Sequence, residues 1–455
     1  MPHFPHHIFR EYDIRGIAGQ DIDETFAYQL GKAYTTLLHQ DEKQAIAIAH
    51  DARLSSPVLH QAVIQGVNAM GFDVLDLGMQ PSPLAYFAVF HCHVAGCIII
   101  TASHNPSPYN GFKFMVGKES LHGKSIQDLY QTMQQNLLEP QQQGTSTAFD
   151  IQPLYENFVS DSCPISRPLK VVIDAGNGPS GIVAAPLFRK MGCEVTELYC
   201  QPDGHFPNHH PDPSVEENLA DLKTKVIEEH ADLGIAFDGD GDRIGVVDEQ
   251  GHMIWNDLLL LILAKDLLKK HPGSTIISEI KSSNRLYHAV EAAGGTAIMW
   301  RTGHSPIKAK MKETGAKLAG EMSGHIFYAD QYDGFDDAIY AGVRLMQIIA
   351  ESMKNLSYQL RDIPQTETTP EIRIPCADER KFKVVEEAKN YFRNKGYDII
   401  DVDGMRIQDD ESWGLLRASN TQAALTLRFE APNTEKLHEI QQLIQIWLDK
   451  QGNIT

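Results

Sequence analysis

The feature that most constrains this chain is a recurring order of segments: an apolar strand-like run, a short polar or glycine-rich loop, then a helix-like run. The first third reads "AIAIAH", the helical "SSPVLHQAVIQGVNAMG", "DVLDLG", a further helical stretch and "VAGCIII". Such alternation predicts βαβ units and a mostly parallel sheet covered by helices. The order restarts at "LKVVIDAGNGPSG", with the helix "IVAAPLFRKMG" and the strand "CEVTELYC". It restarts again at "DLLLLILAKDLLKKH", with the strand "STIISEI" and the helix "SSNRLYHAVEAAGG". After the loose segment "DIPQTETTP" the pattern changes, and the helix "KFKVVEEAKNYFRNKG" joins "DIIDVDGMRIQ" and "AALTLRFEA", which read as antiparallel strands. A chain of 455 residues is too long for one hydrophobic core. The expected architecture is α/β: three similar mixed-sheet α/β domains and a smaller α+β C-terminal domain. With the Gln-rich stretch near 139–149 read as a linker, the expected domains are 1–150, 151–253, 254–368 and 369–455.

Composition narrows the partners. A formal net charge of −20 argues against nucleic acid or an anionic membrane. It leaves room for small anionic substrates, which need only a local cluster of Arg, Lys and His. "DLLLLILAKDLL" is interrupted by Lys265 and Asp266, so no run has the length of a membrane span. The first residues, "MPHFPHHIFREYDIRG", lack the apolar core of a signal peptide, and the cytoplasm is the expected location. Six scattered cysteines suggest no disulfide framework. "HCHVAGC" offers His91, Cys92, His93 and Cys97 to a metal, but a β-type run would send alternate ligands to opposite faces.

Two loops carry more chemistry. In "FDGDGDR", Asp238, Asp240 and Asp242 alternate in a glycine-spaced turn, where they repel one another unless a cation lies between them. An EF-hand meets the acidic positions, with Glu249 at position twelve, but Arg243 stands where the sharp turn needs glycine and the flanks are strand-like. An arginine directly after a metal cage suits a site that handles a metal and a phosphate together. In "TASHNPSPYNGFKF" a buried strand ends in a polar loop holding Ser103, with Lys113 ten residues on. Ordinary turns use the same residue types.

Three further segments are suggestive. "GNGPSG", Gly176 to Gly181, follows the strand "KVVID" with dinucleotide-fingerprint spacing. "RTGHSPIK" offers His304, and "GEMSGH" sets Glu321, Ser323 and His325 between glycines, a set suited to adjacent sugar hydroxyls. "LLRASNTQAAL" gathers Arg417, Ser419, Asn420 and Thr421 in a turn, where their donors suit a phosphate and a plain hairpin would serve equally.

Taken in order, "EYDIRG", "TASHNPSPYNGFK", "NHHPDPSVEENL", "DGDGDR", "RTGHS", "GEMSGH" and "RASNT" resemble the α-D-phosphohexomutase family, and within it the bacterial phosphomannomutase/phosphoglucomutase branch. The resemblance spans essentially the whole chain. It implies three related α/β domains and a TBP-like fourth around a central cleft. The expected reaction is reversible interconversion of hexose 1- and 6-phosphates, mannose or glucose, through a phosphoserine and a hexose 1,6-bisphosphate. Ser103 matches the family's phosphoserine, and Asp238, Asp240 and Asp242 match Mg²⁺ ligands, with the phosphoserine supplying another oxygen. Arg15 and Arg243 would stabilise the phosphoryl group, and Lys113 would help manage the substrate hydroxyl's proton. His304 and His325 match positions lining the sugar site, His325 as an acid/base candidate. Tyr12 matches the aromatic residue of the N-terminal motif, and Lys281 a substrate-contacting lysine. Glu321 and Ser323 match the pair on the sugar's 3- and 4-hydroxyls. Arg417, Ser419, Asn420 and Thr421 match the grip on the non-reacting phosphate.

The implied cofactors are Mg²⁺ and a hexose 1,6-bisphosphate activator. The expected partners are small sugar phosphates, with no nucleic acid or membrane, for a chain acting as a monomer. Phosphoglucosamine mutases usually carry Gln where Met322 stands, which makes that activity the near alternative. An NAD-dependent dehydrogenase built on "GNGPSG" is the remote one, and a non-enzymatic calcium-binding protein would leave Ser103 and "RASNT" unexplained. Tyr332 stands where the resemblance leads one to expect tryptophan.

Overall fold

The computed structural model describes residues 4–38, 45–409, 411–419 and 423–452. Among them are four sheets, which define units I to IV along the chain. In unit I the strands run Ile14–Ile17, Tyr109–Val116, Val94–Ile100, Ala45–His50, Val74–Met79 and Ser146–Ala148 across the sheet. Val94–Ile100 is parallel to Ala45–His50 on one side and antiparallel to Tyr109–Val116 on the other. The sheet is therefore mixed, with the parallel pairing confined to one side of Val94–Ile100. In unit II, Leu233–Phe237 is parallel to Lys170–Asp174 and antiparallel to Ile244–Asp248. In unit III, Leu318–Gly320 is parallel to Thr275–Glu279 and antiparallel to Ile326–Tyr328.

That shared design decides where the functional loops lie. In each of these units the last parallel strand turns back on itself, and the turn protrudes from the strand's carboxyl end. The three turns are residues 101–108, 238–243 and 321–325. Carboxyl ends of parallel strands are where open α/β sheets take ligands. The strands themselves are buried runs of Ile, Val, Leu, Ala and Gly, so polar groups at their tips are held by a scaffold covered on both faces.

Among the described residues unit IV pairs antiparallel throughout, across Glu367–Thr368, Ile372–Pro375, Ile399–Ile400, Met405–Gln408, Trp413–Ala418 and Ala424–Ala431. Asp378–Asn394 and Thr434–Asp449 are its helices. Asn433 caps the second by accepting from the Lys436 amide.

Some segments depart from the sequence reading. Within the expected linker, Ser146–Ala148 is an edge strand parallel to Val74–Met79. Three small, exposed residues give no hydrophobic signal; the backbone ladder places them. Met253–Ile254 straddles the expected division at 253/254, and Glu367–Thr368 pairs with the sheet of unit IV ahead of the expected division at 368/369. "HCHVAGC" is not one β-type run, because His91 ends the helix Ser82–His91 and only Cys97 lies inside a strand. His91 instead reaches Asp333 at 2.7 Å. Among the described residues no helix is long and apolar enough to cross a membrane.

Candidate active site

Ser103 sits at the tip of Val94–Ile100 with a left-handed backbone, φ 50°. A non-glycine residue there costs on the order of 1 kcal/mol and needs outside support. The Ser103 amide donates to Thr101 Oγ1 at 2.8 Å, and its carbonyl accepts from Arg53 at 2.7 Å. Gly239 lies against that carbonyl so closely that a Cβ on it would collide. The hydroxyl, buried, donates to Asp238 Oδ2 at 2.5 Å, and His104 Nδ1 lies 3.1 Å from it.

The aspartate turn faces Ser103 across the gap between units I and II. Asp238 Oδ1 accepts from the amides of Gly241, Asp242 and Arg243 at 3.0, 3.1 and 3.2 Å, which shapes the turn from within. Lys113 donates to Asp240 at 2.7 Å and to Asp242 at 2.6 Å, and Ser82 donates to Asp240 at 2.6 Å. Burial opposes the charge on Lys113, yet Asp240 and Asp242 outweigh it and hold the ammonium above its ordinary value. Burial pushes the Asp238 carboxyl well up, reinforced by Asp240 and Asp242. The Asp240 carboxyl is drawn down, because Lys113 overcomes the cost of burial.

Asp240 Oδ1 and Asp242 Oδ1 are buried and accept no hydrogen bond among the described residues. One oxygen from each of the three aspartates lies within 4.8 Å of the others. Buried, unpartnered carboxylate oxygens converging in this way fit a hard divalent cation. The turn's flanks are strands, and Glu249 accepts from the Ser357 amide and hydroxyl, away from the turn, so the EF-hand geometry is absent.

Arg15 joins this cluster by donating to Asn105 at 2.7 Å and to Asp13 at 2.7 Å. From the other side, Arg243 Nε donates to His325 Nε2 at 3.0 Å. A guanidinium only donates, so Nε2 is the acceptor and the ring proton of a neutral His325 sits on Nδ1. Nδ1 lies 3.0 Å from Asp336 Oδ2 and 3.6 Å from Asp242 Oδ1, the first at ion-pair range without hydrogen-bond alignment. Asp336 also accepts from Lys308 at 3.0 Å. Burial works against the Asp336 carboxylate, but Lys308 and the ring of His325 keep it well below its ordinary range. His304 is pushed well down by burial and by Lys308, which leaves its ring neutral at pH 7.

The sugar-side residues form a second, linked group. Tyr12 meets His304 edge-on with ring centroids 5.7 Å apart, and its hydroxyl donates to the Thr302 carbonyl at 3.2 Å. The Gly303 amide, at φ 127°, donates to Glu321 at 2.5 Å. A Cβ on Gly303 would run into the Tyr12 ring. Burial raises the Glu321 carboxyl above its ordinary value. Ser323 is half-buried in the same turn. Lys281 lies 3.3 Å from Glu279 and 3.2 Å from Glu371. Arg417 pairs with Asp403 at 3.1 Å, and Asp403 also accepts from the Thr302 amide at 3.0 Å. Ser419 is buried at the end of its strand, donating its amide to the Ala424 carbonyl at 2.9 Å, whereas Asn420 and Thr421 lie outside the described residues.

The expected residues thus fall into a cluster around Ser103 and a grip around Arg417, bridged through Tyr12, Thr302, Gly303 and Glu321. Sequence reasoning missed Asp336, Glu279 and Asp403, which hold the expected cations. Glu279 accepts from the Thr302 hydroxyl at 2.6 Å and the Met322 amide at 3.2 Å. "SEIK" and "GFDD", each with an acid after a strand or turn, were the available signals. The glycine loop 176–181 is filled by protein: Gly178 lies against the Gly239 and Ala175 carbonyls, and Gly181 against Cys200. A pyrophosphate has no approach of the kind a dinucleotide fold provides. Tyr332 stacks on Tyr340 at 4.0 Å and donates to Asp337 at 2.7 Å, inside the core, so the departure from tryptophan lies in core packing.

Four family models, described as phosphoglucomutase/phosphomannomutase alpha/beta/alpha domains I, II and III and C-terminal domain, match residues 6–138, 152–251, 255–366 and 371–445. The chain belongs to the phosphoglucomutase/phosphomannomutase family. It is similar to the phosphomannomutase/phosphoglucomutase of Pseudomonas aeruginosa, 43% identical over 439 residues, covering 96% of this chain and 95% of that protein. The phosphoglucomutase of Neisseria gonorrhoeae is likewise 43% identical over 439 residues, covering 95% of each. The crystal structure of a phosphoglucomutase/phosphomannomutase family protein from Burkholderia thailandensis gives a TM-score of 0.93 at 38% identity, covering 100% of this chain and 99% of that one.

Proposed function

We propose that the protein interconverts hexose 1-phosphates and hexose 6-phosphates, with mannose and glucose as the sugars, by carrying a phosphoryl group on Ser103. The observation that carries this reading is the Ser103 hydroxyl 2.5 Å from Asp238, in a buried carboxylate trio with two oxygens left unpartnered. The names of the relatives support the sugar class. Asp238, Asp240, Asp242 and Ser103 would hold Mg²⁺, which when bound neutralises charge on a phosphoryl group entering or leaving the serine oxygen.

In the first half-reaction the Oγ–P bond of the phosphoserine breaks as the free hydroxyl of a hexose phosphate forms its own P–O bond. The product of that step is a hexose 1,6-bisphosphate, which also accounts for the expected activator. The hydroxyl's proton passes to the basic Nε2 of His325 once the Arg243 N–H turns to the phosphoryl group. In the second half the bisphosphate presents its other phosphate, Ser103 Oγ takes it, and the proton returns to the freed hydroxyl. Arg15 and Lys113 place their positive charge beside the transferring group. Tyr12 and His304 wall the sugar, Glu321, Ser323 and Lys281 hold its hydroxyls, and Arg417, Ser419, Asn420 and Thr421 grip the non-reacting phosphate. All four units of one chain supply residues, so we read the protein as a monomer. The net charge of −20 supports an enzyme without nucleic acid or anionic-membrane partners, and we place it in the cytoplasm. We propose the divisions between units near 150, 253 and 368.

The test is mutase turnover on mannose 1-phosphate, glucose 1-phosphate and glucosamine 1-phosphate with Mg²⁺ and a trace of glucose 1,6-bisphosphate, beside the Ser103→Ala protein. Turnover of the first two, lost in the variant, is the expected result. Turnover of glucosamine 1-phosphate alone would move the assignment to the neighbouring activity, and activity surviving in Ser103→Ala would overturn the phosphoserine.

A further inference from the structure

Arg53 stands just past the strand Ala45–His50, in a stretch, "HDARLSSP", to which neither the sequence reading nor the reaction gives a task. It is fully buried, 0% exposed. Nη1 donates to the carbonyls of Pro106 and Tyr109 at 2.8 and 2.9 Å, and Nη2 to those of Ser103 and Asn105 at 2.7 and 2.5 Å. One planar group therefore gathers three carbonyl oxygens of the loop that carries Ser103 and the first of the strand that follows it. Asp51 lies 3.2 Å from Nε, and its other oxygen accepts from the Arg53 amide at 2.9 Å and the Ser56 hydroxyl at 2.6 Å. A strap from unit II closes the far side. The Phe206 ring lies 5.2 Å from the guanidinium, and Gly204 passes so near the Ala52 carbonyl and Leu54 amide that a Cβ would clash.

Burying a guanidinium with one carboxylate beside it is unfavourable unless its donors are used. Here Nε lies 3.2 Å from Asp51, and the four Nη donors are used on backbone oxygens. The Ser103 carbonyl is among them, in a left-handed residue whose conformation needs external support. A lysine carries the same charge at a point and has no planar fork with which to span two pairs of carbonyls.

Resting on the reading of Ser103 as the phosphoryl carrier, we propose that Arg53 is the positioning residue of the reaction. It fixes the backbone of 103–109 so that Oγ meets the aspartate turn at one distance, and it does so without touching the sugar. Misplacing a reacting group by about 1 Å costs roughly 100-fold in rate, and a group that acts only on Oγ leaves substrate affinity alone.

The experiment compares wild type, Arg53→Lys, Phe206→Leu and Ser103→Ala in steady-state turnover of glucose 1-phosphate and mannose 1-phosphate, with thermal melting as the control for folding. Arg53→Lys is expected to melt as a folded protein and to lose about 100-fold in kcat, with KM within about twofold. Phe206→Leu, which leaves the guanidinium in place and removes the ring beneath it, is expected to lose several-fold in kcat with KM unmoved. A folded Arg53→Lys with wild-type kcat, or a loss that falls on KM, overturns the proposal while leaving the role of Ser103 intact. Should Arg53→Lys fail to fold, Phe206→Leu decides: an unchanged kcat or a KM effect overturns the proposal. Activity in Ser103→Ala would instead overturn the reading on which the proposal rests.

Discussion

Units I, II and III are joined differently from unit IV. One continuous apolar cluster runs from Ala47 in the sheet of unit I through Phe188 and Ile235 in unit II to Leu260 and Leu318 in unit III. Unit IV has a core of its own, from Cys376 to Leu448. Its apolar contact with unit III is the small group of Ile280, Trp413 and Leu415. The rest of that joint is polar. Arg406 donates to the Ile280 and Ser282 carbonyls, Arg428 to the Lys281 carbonyl, and Ser283 to Glu430 at 2.8 Å. Between units I and IV an open cavity of about 670 Å³ separates His6 and Glu11 from Asp378 and Ala423. A shared packed core resists deformation, whereas hydrogen bonds to backbone can be exchanged for water at small net cost. The serine and the aspartate turn sit in the fused block, and Arg417 sits on the part that can yield. On the proposed reading the chemistry belongs to the block and the grip to unit IV, so substitutions should divide accordingly.

The largest effect is expected at Ser103. Ser103→Ala should keep the melting temperature of the wild type and lose more than about 10⁴-fold in kcat, the scale on which removal of a nucleophile acts. A smaller loss would mean that another hydroxyl of the block reaches the aspartate turn.

Next in size is a test of the block as one body. Asp337 caps the helix Ala338–Ser352 and accepts from the Tyr155 and Tyr332 hydroxyls at 2.9 and 2.7 Å, tying unit II to unit III. Burial outweighs these donors and pushes its carboxyl up from 3.8 to about 6. A carboxyl with a raised value holds its proton more tightly folded than unfolded. Stability from this group is therefore lost as pH rises from about 4 to about 6, by roughly 3 kcal/mol, and stays lost above. Urea unfolding across that range should show Asp337→Asn gaining on the wild type by up to that amount as pH rises, in one transition for units I to III. Parallel curves for the two proteins would remove Asp337 from the joint's energetics.

How much of this was legible in the sequence follows the same division. Ser103 and the three aspartates could be read because each lies at the end of an apolar strand, and strand ends of parallel sheets face one side; Lys113, inside the strand Tyr109–Val116, was read only from its closeness to Ser103 in sequence. The family resemblance supplied their roles. Arg53, Asp336 and Asp403 could not be read in this way. Each sits among other acidic or polar residues with nothing local to single it out, and its meaning depends on partners such as Ser103, His304 and Thr302 that lie far along the chain or on a neighbouring element. The edge strand Ser146–Ala148 was hidden for a related reason: a backbone ladder on an exposed edge leaves no hydrophobic alternation. Tyr332 is the converse case, a residue that departs from the family's pattern close to the turn 321–325 in sequence and whose ring belongs to the core.

The smallest effect is expected where the molecule yields. Arg417 is buried, pairs with Asp403 at 3.1 Å, and has an Nε with no hydrogen-bond partner among the described residues. Asp403 in turn holds the Thr302 amide at 3.0 Å, so the guanidinium shares its anchor with the turn that meets Tyr12 and Glu321. An anion arriving at the grip would compete with Asp403 for Arg417 and loosen the link to Thr302. Arg417→Ala removes one charge-assisted contact, worth about 1.5–3 kcal/mol, and should raise KM for glucose 1-phosphate about 10- to 100-fold while kcat changes severalfold at most. Arg417→Lys keeps the charge and loses the fork, and should fall between the two. If both variants lose kcat and leave KM unchanged, unit IV takes part in the chemical step itself, and the division between block and grip fails.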